Sequence, residues 1–301
     1  MRIGILSRNK ALYSTRRLVQ AARIRGHQVV VINTLKIPVD IGGGSRASSR
    51  RSLPEVKAII PRIGTSITYY GLAVVRQFES QGVLTTASSQ AIARSRDKLH
   101  SLQTMNRSGL PIPRTTIVAN TEDIWPAIKN AGGLPVVIKL IRGTQGRGVF
   151  LANQVHIVES LLKAVYRIKE QMLIQEYIRE SSGRDLRIIV VGNRCVAAME
   201  RKAAEGDFRA NLHRGGSATP ISLDSKTQEL ALEASHAHGL NVAGVDMVQS
   251  SRGPLLLEVN SSPGLEGIEN TTNVDIAGEI IRLLEREEKR SRQRRKRVRR
   301  R

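Results

Sequence analysis

Two apolar segments near the C-terminus carry acidic and amide side chains whose spacing suits a metal site. Residues 244–248 and 255–260 are separated by a Ser-Ser-Arg-Gly turn and are predicted to pair as a β-hairpin. Because side chains alternate along a strand, Glu258 and Asn260 share one face, which Asp246 on the partner strand can join. Two carboxylates and an amide oxygen on one face favour a hard cation such as Mg²⁺. The alternative is that both acids pair with some of the many arginines, and the pattern alone does not decide.

A glycine-rich loop follows a second apolar strand that ends in a lysine. Lys139 comes directly after the apolar run 135–138, and the loop then leads into the apolar residues 149–151. Glycines let the backbone close around an anion, with amides and a threonine hydroxyl as donors. The loop fits neither the Walker nor the Rossmann pattern, and an ordinary glycine-rich hairpin is the alternative. A buried lysine needs an anionic partner, which favours a phosphate site. The candidate phosphate-binding residues are Gly143, Thr144, Gly146 and Gly148.

A third segment, residues 175–178, gives a weaker signal. An exposed strand edge there could bind adenine through its backbone, and Asp185 could accept hydrogen bonds from ribose hydroxyls. Taken alone, the segment is better explained as a plain strand.

The composition indicates anionic partners. The 301 residues include 48 Lys and Arg against 26 Asp and Glu, a formal net charge of +22, and 40% of them are hydrophobic. The hydrophobic content excludes a disordered polar chain, and the charge indicates phosphate, carboxylate or nucleic acid as partners. Aromatic residues make up only 3%, which disfavours a single-strand binder that stacks bases. Eleven basic and two acidic residues between Arg286 and Arg301 hold +9 of the charge.

The single cysteine and the absence of long apolar runs predict a soluble cytoplasmic protein with no membrane partner. Cys195 cannot form an intramolecular disulfide and, with no histidine partner indicated, is interpreted as a strand residue and not a nucleophile. No apolar run approaches the ~20 residues that span a membrane. Residues 1–7 are typical of a strand and too short for a secretion signal.

The elements that must position these residues are predicted from periodicity and turn residues. The chain opens with a βαβ pattern over residues 3–32, and a further strand covers residues 56–60. Ser95 is predicted to cap a helix that runs to Ser108 and is terminated by Gly109. Later elements are strands and helices joined by tight turns: strands 115–118, 134–140, 148–152, 172–178, 242–248 and 254–260, a hairpin 185–200 turning at Gly192-Asn193, and helices 122–131, 155–170, 225–238 and 274–288.

This order predicts an α/β N-terminal domain followed by α+β subdomains with antiparallel sheets. The domain boundaries are placed at residues 1–94 for the first, 95–285 for the second, and 286–301 for a basic tail.

Taken together, these motifs resemble the ATP-grasp superfamily and, more narrowly, its RimK family. The resemblance covers about residues 1–285 and rests on the following strings: Arg96-Asp97-Lys98, Lys139 with its glycine loop, Gln175-Glu176-Tyr177, Asp246 and Glu258-Val259-Asn260, and the longer Pro61–Thr65, Glu205–Arg209, Asn211–Gly216 and Asn260–Glu269. It implies an ATP-grasp fold, with a Rossmann-like pre-ATP-grasp domain and two α+β subdomains that clasp ATP.

The resemblance also implies site residues and cofactors. The resemblance implies that Lys98 and Lys139 contact ATP, with Lys139 near the phosphates and the adenine edge. The other ATP-binding residues it implies are Glu176 and Tyr177 at the adenine, Asp185 at the ribose, and Arg209, Ala210 and Asn211 towards the phosphates. Two Mg²⁺ ions, or Mn²⁺, would be bound by Asp246, Glu258 and Asn260. The family adds glutamate to the C-terminus of ribosomal protein S-six, through an acyl phosphate that an amine attacks, and related ligases are often dimers or tetramers.

Phosphoryl transfer to a carboxylate brings anions together, so catalysis depends on charge neutralisation and positioning. The candidates for contacting the acceptor carboxylate and the oxyanion are Arg201, Arg209, His213 and Arg214. Solvated surface charges are the alternative for each of them.

The tail 286–301 departs from the RimK pattern and is expected to be a disordered extension or an electrostatic tether to ribosomal RNA or an acidic peptide. Two other functions stay open: an ATP-grasp ligase with another amino acid or peptide acceptor, and a basic RNA-binding protein.

Overall fold

The computed structural model describes residues 1–39, 41, 54–141, 148–167, 171–181, 183–210, 212 and 215–298. Within these residues the strands form one parallel and two antiparallel sheets, each with helices packed against it. This combination confirms the predicted α/β and α+β fold class.

The first sheet is parallel and belongs to the N-terminal part. Its strand order is β2-β1-β3-β4, and its elements are β1 (Arg2–Leu6), α1 (Tyr13–Ile24), β2 (Gln28–Ile32), β3 (Ala58–Pro61), α2 (Thr68–Ser80), β4 (Leu84–Thr85) and α3 (Ser89–Arg96). Apolar residues on both faces of β1, such as Ile3 and Leu6, are fully buried, as expected for a parallel strand covered by helices. The predicted βαβ opening is confirmed, whereas α2, α3 and β4 were not predicted.

The second sheet is antiparallel, with the order β5-β8-β6-β7. Its elements are β5 (Thr115–Val118), α5 (Ile124–Asn130), β6 (Val136–Leu140), β7 (Val149–Ala152), α6 (Val155–Arg167) and β8 (Met172–Glu176). Val136, Ile138, Met172 and Ile174 are fully buried beneath the two helices. The alternating residues Val137 and Lys139 of β6, and Leu173 and Gln175 of β8, lie on the other face of this sheet.

The third sheet is also antiparallel, with the order β11-β10-β9-β12-β13. Its elements are β9 (Arg184–Val191), β10 (Arg194–Lys202), β11 (Ser217–Pro220), α7 (Ser225–Ala237), β12 (Val242–Ser250), β13 (Gly253–Asn260) and α8 (Glu266–Thr272). The predicted hairpin turn is confirmed, because Gly192 connects β9 to β10 with a φ of 61°.

The helix α4 (Lys98–Arg107) begins two residues later than the predicted cap allows. Asp97 is its N-cap, accepting a hydrogen bond from the His100 amide at 2.9 Å. Ser95 lies inside α3, where its hydroxyl donates to the Ile92 carbonyl, so the prediction of Ser95 as the cap is wrong. Two capping residues stand close together here, and only the break between α3 and α4 selects Asp97.

The last helix, α9 (Ile276–Val298), extends well beyond the predicted end at residue 288. The expectation of a disordered tail from residue 286 is wrong for residues 286–298, which are helical. Arginine, lysine, glutamate and glutamine are good helix formers, and propagation from a packed first half costs little. Ion pairs within the helix, Glu287–Arg290 and Glu288–Arg292, add support.

The first half of α9, near the C-terminus, packs against elements at the N-terminus of the chain. Its Ile280 and Leu284 pack in one buried cluster with Ile5 of β1, Leu18 of α1 and Met199 of β10. The parallel sheet and the third sheet are therefore held around a shared core. In the part of the chain that the structure describes, no helix is both long and apolar enough to cross a membrane.

Candidate active site

One face of the third sheet carries a row of charged side chains across four adjacent strands. The register places Arg201 opposite Asp185, Arg187 opposite Asp246, and Asp246 opposite Glu258. Directly opposed residues of antiparallel strands point to the same face, so these side chains lie side by side. This confirms the predicted hairpin and the shared face of Asp246 and Glu258.

Asp185 and Asp246 are held by two arginines in a closed network. The Nε and a terminal nitrogen of Arg187 donate to the Asp246 carboxylate at 2.8 and 2.6 Å. Arg201 donates to Asp185 at 2.6 and 2.7 Å and lies 3.2 Å from Asp246. Burial opposes ionisation of Asp246, but the two guanidiniums outweigh it and lower its pKa to about 2. Burial beside a second carboxylate raises the pKa of Asp185 above its ordinary value.

The sequence pattern left open that both acids pair with arginines instead of binding a metal. Such pairing is present for Asp246 and not, among the described residues, for Glu258. Glu258 is exposed and forms no ion pair with the described residues, and Asn260 is half-buried two residues further along β13. The strand alternation aligns both with the Asp246 side of the sheet. Arg187 was missed as a partner of Asp246, although its i, i+2 spacing from Asp185 signals a shared face.

Two lysines from outside the third sheet approach this acidic face. Lys139 is the last but one residue of β6 in the second sheet, and the charges of Glu258, Asp246 and Asp185 act on its ammonium group. Burial nevertheless lowers the pKa of Lys139 to about 8, assisted by the nearby Lys98. Lys98 at the start of α4 donates to the Leu140 carbonyl at 2.7 Å, and burial lowers its pKa as well. A group of cations thus faces a group of anions across the two sheets.

The glycine-rich loop connects two paired strands. Leu140 donates its amide to the Gly148 carbonyl at 2.8 Å, and Lys139 lies opposite Val149, so both loop ends are fixed in one antiparallel pair. Gly148 has a φ of 76°, where a Cβ would also contact Leu140. Gly143, Thr144 and Gly146 lie outside the described residues.

The segment predicted for adenine lies at the end of a central strand. β8 is flanked by β5 and β6, so the predicted exposed edge is wrong for Glu176, whose amide donates to the Arg114 carbonyl. Arg114 and Arg252 bind the Glu176 carboxylate, at 3.1 and 2.7 Å; burial opposes ionisation, but these hydrogen bonds lower its pKa. Tyr177 follows the strand and packs edge-on against Phe208, with ring centroids 6.4 Å apart.

The segment after β10 reaches back to the second sheet. Arg209 donates to Asp207 at 2.9 Å and to the Val149 carbonyl at 3.2 Å, while its guanidinium lies 5.5 Å from the Phe208 ring. Ala210 is buried. Asn211, His213 and Arg214 lie outside the described residues.

The donor set on the acidic face fits a magnesium ion in chemistry. Glu258 and Asn260 supply a carboxylate and an amide oxygen. Asp246 accepts two hydrogen bonds from Arg187 and forms an ion pair with Arg201 at 3.2 Å, so these contacts already use part of its about four lone-pair positions and leave part for a cation. In the described residues no three His, Cys, Asp or Glu side chains cluster as metal ligands, so the amide oxygen is part of any such set.

Cys195 lies on β10 as a free, half-buried thiol. Burial raises its pKa to about 11, so the thiol stays protonated and is a poor nucleophile.

Two family matches divide the chain. Residues 1–92 match the RimK PreATP-grasp domain, and residues 95–284 match the RimK-like ATP-grasp domain. A protein of Saccharophagus degradans named "Probable alpha-L-glutamate ligase" is 53% identical over 288 residues, which is 95% of this chain and 95% of that protein.

Solved structures share the fold at low sequence identity. A RimK domain ATP-grasp protein from Sphaerobacter thermophilus has a TM-score of 0.73 at 20% identity, covering 94% of this chain and 99% of that one. The ATP-grasp ligase PsnB, solved with a minimal precursor, Mg and ADP, has a TM-score of 0.74 at 19% identity, covering 96% and 98%. With both of its domains matched, the chain belongs to the RimK family of ATP-grasp enzymes, which are ATP-dependent ligases.

Proposed function

We propose that this ligase adds L-glutamate in α-peptide linkage to the C-terminus of ribosomal protein S-six, releasing ADP and phosphate. The observation that carries the proposal is the approach of Lys139 and Lys98 to the face that holds Asp246, Glu258 and Asn260. Phosphoryl transfer between anions needs such paired cationic and metal-binding groups. The name of the relative that is 53% identical supports glutamate as the amino acid.

ATP is assigned to the space between the second and third sheets. Lys98 and Lys139 would contact its phosphates, together with the glycine loop and residues 209–211. Tyr177, beside Phe208, would contact the adenine together with Glu176. Asp185 has one lone pair left on each oxygen after binding Arg201, which suits ribose hydroxyls.

Two divalent ions, Mg²⁺ or Mn²⁺, would be held by Asp246, Glu258 and Asn260. When bound, the ions would neutralise phosphate charge and polarise the transferred phosphoryl group. The network of Arg187, Arg201 and Asp185 fixes Asp246 as a carboxylate in one orientation. Arg201 is fully engaged in this network, so a positioning role fits its contacts better than acceptor binding.

The reaction takes place in two displacements. An oxygen of the acceptor's terminal carboxylate attacks the γ-phosphorus of ATP, the bond to the bridging oxygen breaks, and ADP leaves. The amino group of glutamate then attacks the acyl-phosphate carbonyl; the C–N bond forms, phosphate leaves and the amine loses a proton. Lys139 and Arg209 would stabilise the charge on the transferred group, and His213 and Arg214 the carbonyl oxygen.

The test is ADP release and mass spectrometry with ATP, Mg²⁺, L-glutamate and a peptide that ends in the S-six C-terminus. We expect ADP formation that depends on both glutamate and peptide, with peptide mass rising in whole glutamate residues. Aspartate, lysine and other acceptor peptides are parallel samples. Turnover only with one of these would replace the substrate assignment, and RNA binding without any turnover would overturn the enzyme assignment.

The basic second half of α9 is proposed to contact ribosomal RNA and so bring the enzyme to its acceptor. Eleven basic residues between 286 and 301 would release counterions on binding, so affinity should fall steeply with salt. Removing residues 290–301 should weaken ribosome binding and flatten its salt dependence. An unchanged affinity across a salt series would contradict this contact.

A further inference from the structure

Two half-buried arginines lie close together where the parallel sheet borders the segment that follows β13. Arg62 comes directly after β3 and donates to the Pro263 carbonyl at 2.8 Å. Arg96 ends α3 and donates to the Ile63 carbonyl and to the Thr65 hydroxyl. Arg62 thus ties the Pro61–Thr65 string to the segment after β13, and Arg96 ties it to α3. The proposed ATP and metal sites leave this string without a role.

These two guanidiniums have like charge and no acidic partner at contact distance among the described residues. Burial, together with the charge of Arg96, lowers the pKa of Arg62 to about 10. Burial also lowers the pKa of Arg96, against the attraction of Glu258. The Nε of Arg96 is buried without a hydrogen-bond partner in this part of the chain. Buried cations side by side are costly unless an anion joins them.

The position of this pair links it to the acidic face. Glu258 is the acidic group whose charge acts on Arg96, and it acts on Lys98 and Lys139 as well. The hydroxyl of Ser261, just after β13, is likewise buried without a partner among the described residues. A third cation, Arg8, lies close by, since a Cβ on Gly64 would be 3.9 Å from its guanidinium.

We propose that Arg62 and Arg96 bind a substrate carboxylate that is not phosphorylated. The proposal rests on the function proposed above, in which the incoming glutamate carries carboxylates that are not phosphorylated, and an acceptor that already ends in an added glutamate carries one on its side chain. Paired guanidiniums match the planar carboxylate and form charge-assisted hydrogen bonds with it. A neutral substrate side chain would leave the two guanidiniums unpaired in a partly desolvated place, so this pair selects an acidic substrate.

The test compares Arg62→Gln and Arg96→Gln with Arg94→Gln as the matched control. Arg94 lies on the same helix as Arg96, but donates to the carbonyls of Ala237 and His238. We expect the KM for L-glutamate to rise about 10- to 100-fold in the first two variants, with the KM for ATP unchanged. A rise in the acceptor KM instead would place the acceptor's carboxylate there. Wild-type KM values for both substrates would overturn the subsite.

A binding experiment separates this subsite from the proposed reaction. L-glutamate, L-glutamine and the acceptor peptide are titrated into each protein with Mg²⁺ and a non-hydrolysable ATP analogue. Wild-type protein that binds glutamate, but not glutamine, and ligates nothing would retain the subsite and overturn the reaction. If wild-type protein ligates glutamate, but both variants bind glutamate and the acceptor peptide as tightly as wild type, the reaction is retained and the subsite is overturned. If Arg62→Gln or Arg96→Gln does not fold, Arg62→Lys and Arg96→Lys are measured instead. Binding of glutamate and of the acceptor peptide that is undiminished in both lysine variants overturns the proposal.

Discussion

Two ion-pair clusters of this chain differ in how far water reaches them. In the site, Arg201 and Asp246 have side chains only 8% and 7% exposed. In the seam between α1 and α9, Arg25 and Glu285 also form a two-contact pair, with His27 beside them, but are 33% and 23% exposed. The same chemical groups thus stand in two very different dielectric environments.

This difference in exposure separates charges that hold the site in shape from charges that can act on a substrate. Burying ions costs more than their mutual attraction returns unless geometry and hydrogen bonds are nearly ideal, whereas exposed pairs contribute little either way. The site network has two acids and two arginines and is close to neutral. The network therefore holds Asp246 in place without ion pairs to Glu258 or Lys139, so the charges of these two residues can act on substrates.

The largest effect is expected from Glu258, which forms no ion pair with the described residues and lies beside the buried network. Glu258→Ala should lower kcat by about 1,000-fold or more, because it removes a carboxylate ligand of the proposed metal site. The protein should stay folded, since this side chain is exposed. ADP release and thermal unfolding measure the two quantities. Glu200→Ala, on the exposed pair with Arg184, is the matched control and should keep near-normal turnover.

Arg201 tests the buried network itself. Arg201→Met should lower the free energy of unfolding by about 3–5 kcal/mol, because it leaves Asp185 and Asp246 short of a partner in a buried place. Denaturant unfolding measures this cost, and Arg184→Met on an exposed pair of the same sheet is the control. Equal losses of unfolding free energy in the two variants would show that burial does not make the Arg201 pairs more important to stability than the exposed Arg184 pair.

Lys139 gives a pH dependence with a definite sign. Its pKa in the free enzyme is lowered to about 8 by burial, and a bound polyphosphate would raise it again. ATP affinity should therefore be constant well below pH 8 and fall as pH rises above it, by at most about tenfold per pH unit. Calorimetric titration of the ATP analogue measures this, and Lys139→Arg should remove the dependence. A wild-type affinity that is flat to pH 9.5 would contradict the assignment.

The smallest effect is expected in the seam. Glu285→Gln removes the acid shared by Arg25 and His27, yet solvent takes over its role. Its effect on the free energy of unfolding should be about a quarter of that of Arg201→Met, and it should shrink further in high salt. Denaturant unfolding at two salt concentrations provides the measurement. A larger loss than in Arg201→Met would reverse the comparison.

The parts of the site that local alternation determines were predictable. Asp246, Glu258 and Asn260 share a face because strand side chains have a period of two, and Lys139 stood out as a charge that ends an apolar strand. The pairing of Asp246 with Arg187 was not predictable, since it depends on β12 lying beside β9, far away in sequence. That choice is made by packing and not by local pattern.

Local signals also failed where two of them competed. Ser95 and Asp97 are both capping residues, and the break between α3 and α4 decides in favour of Asp97. In the tail, the high charge suggested disorder. Helix propensity and continuity with the packed part of α9 nevertheless keep the chain helical as far as Val298. Arg62 and Arg96 meet only because the parallel sheet packs against the segment after β13.

The central claim is that ATP activates a carboxylate as an acyl phosphate at this face. The most direct test uses an acceptor peptide whose terminal carboxylate carries a heavy-oxygen label. We predict that the first glutamate added transfers one labelled oxygen to the released phosphate, that ADP is the nucleotide product, and that Glu258→Ala abolishes both. Unlabelled phosphate from this first addition, or AMP and pyrophosphate as products, would contradict the account.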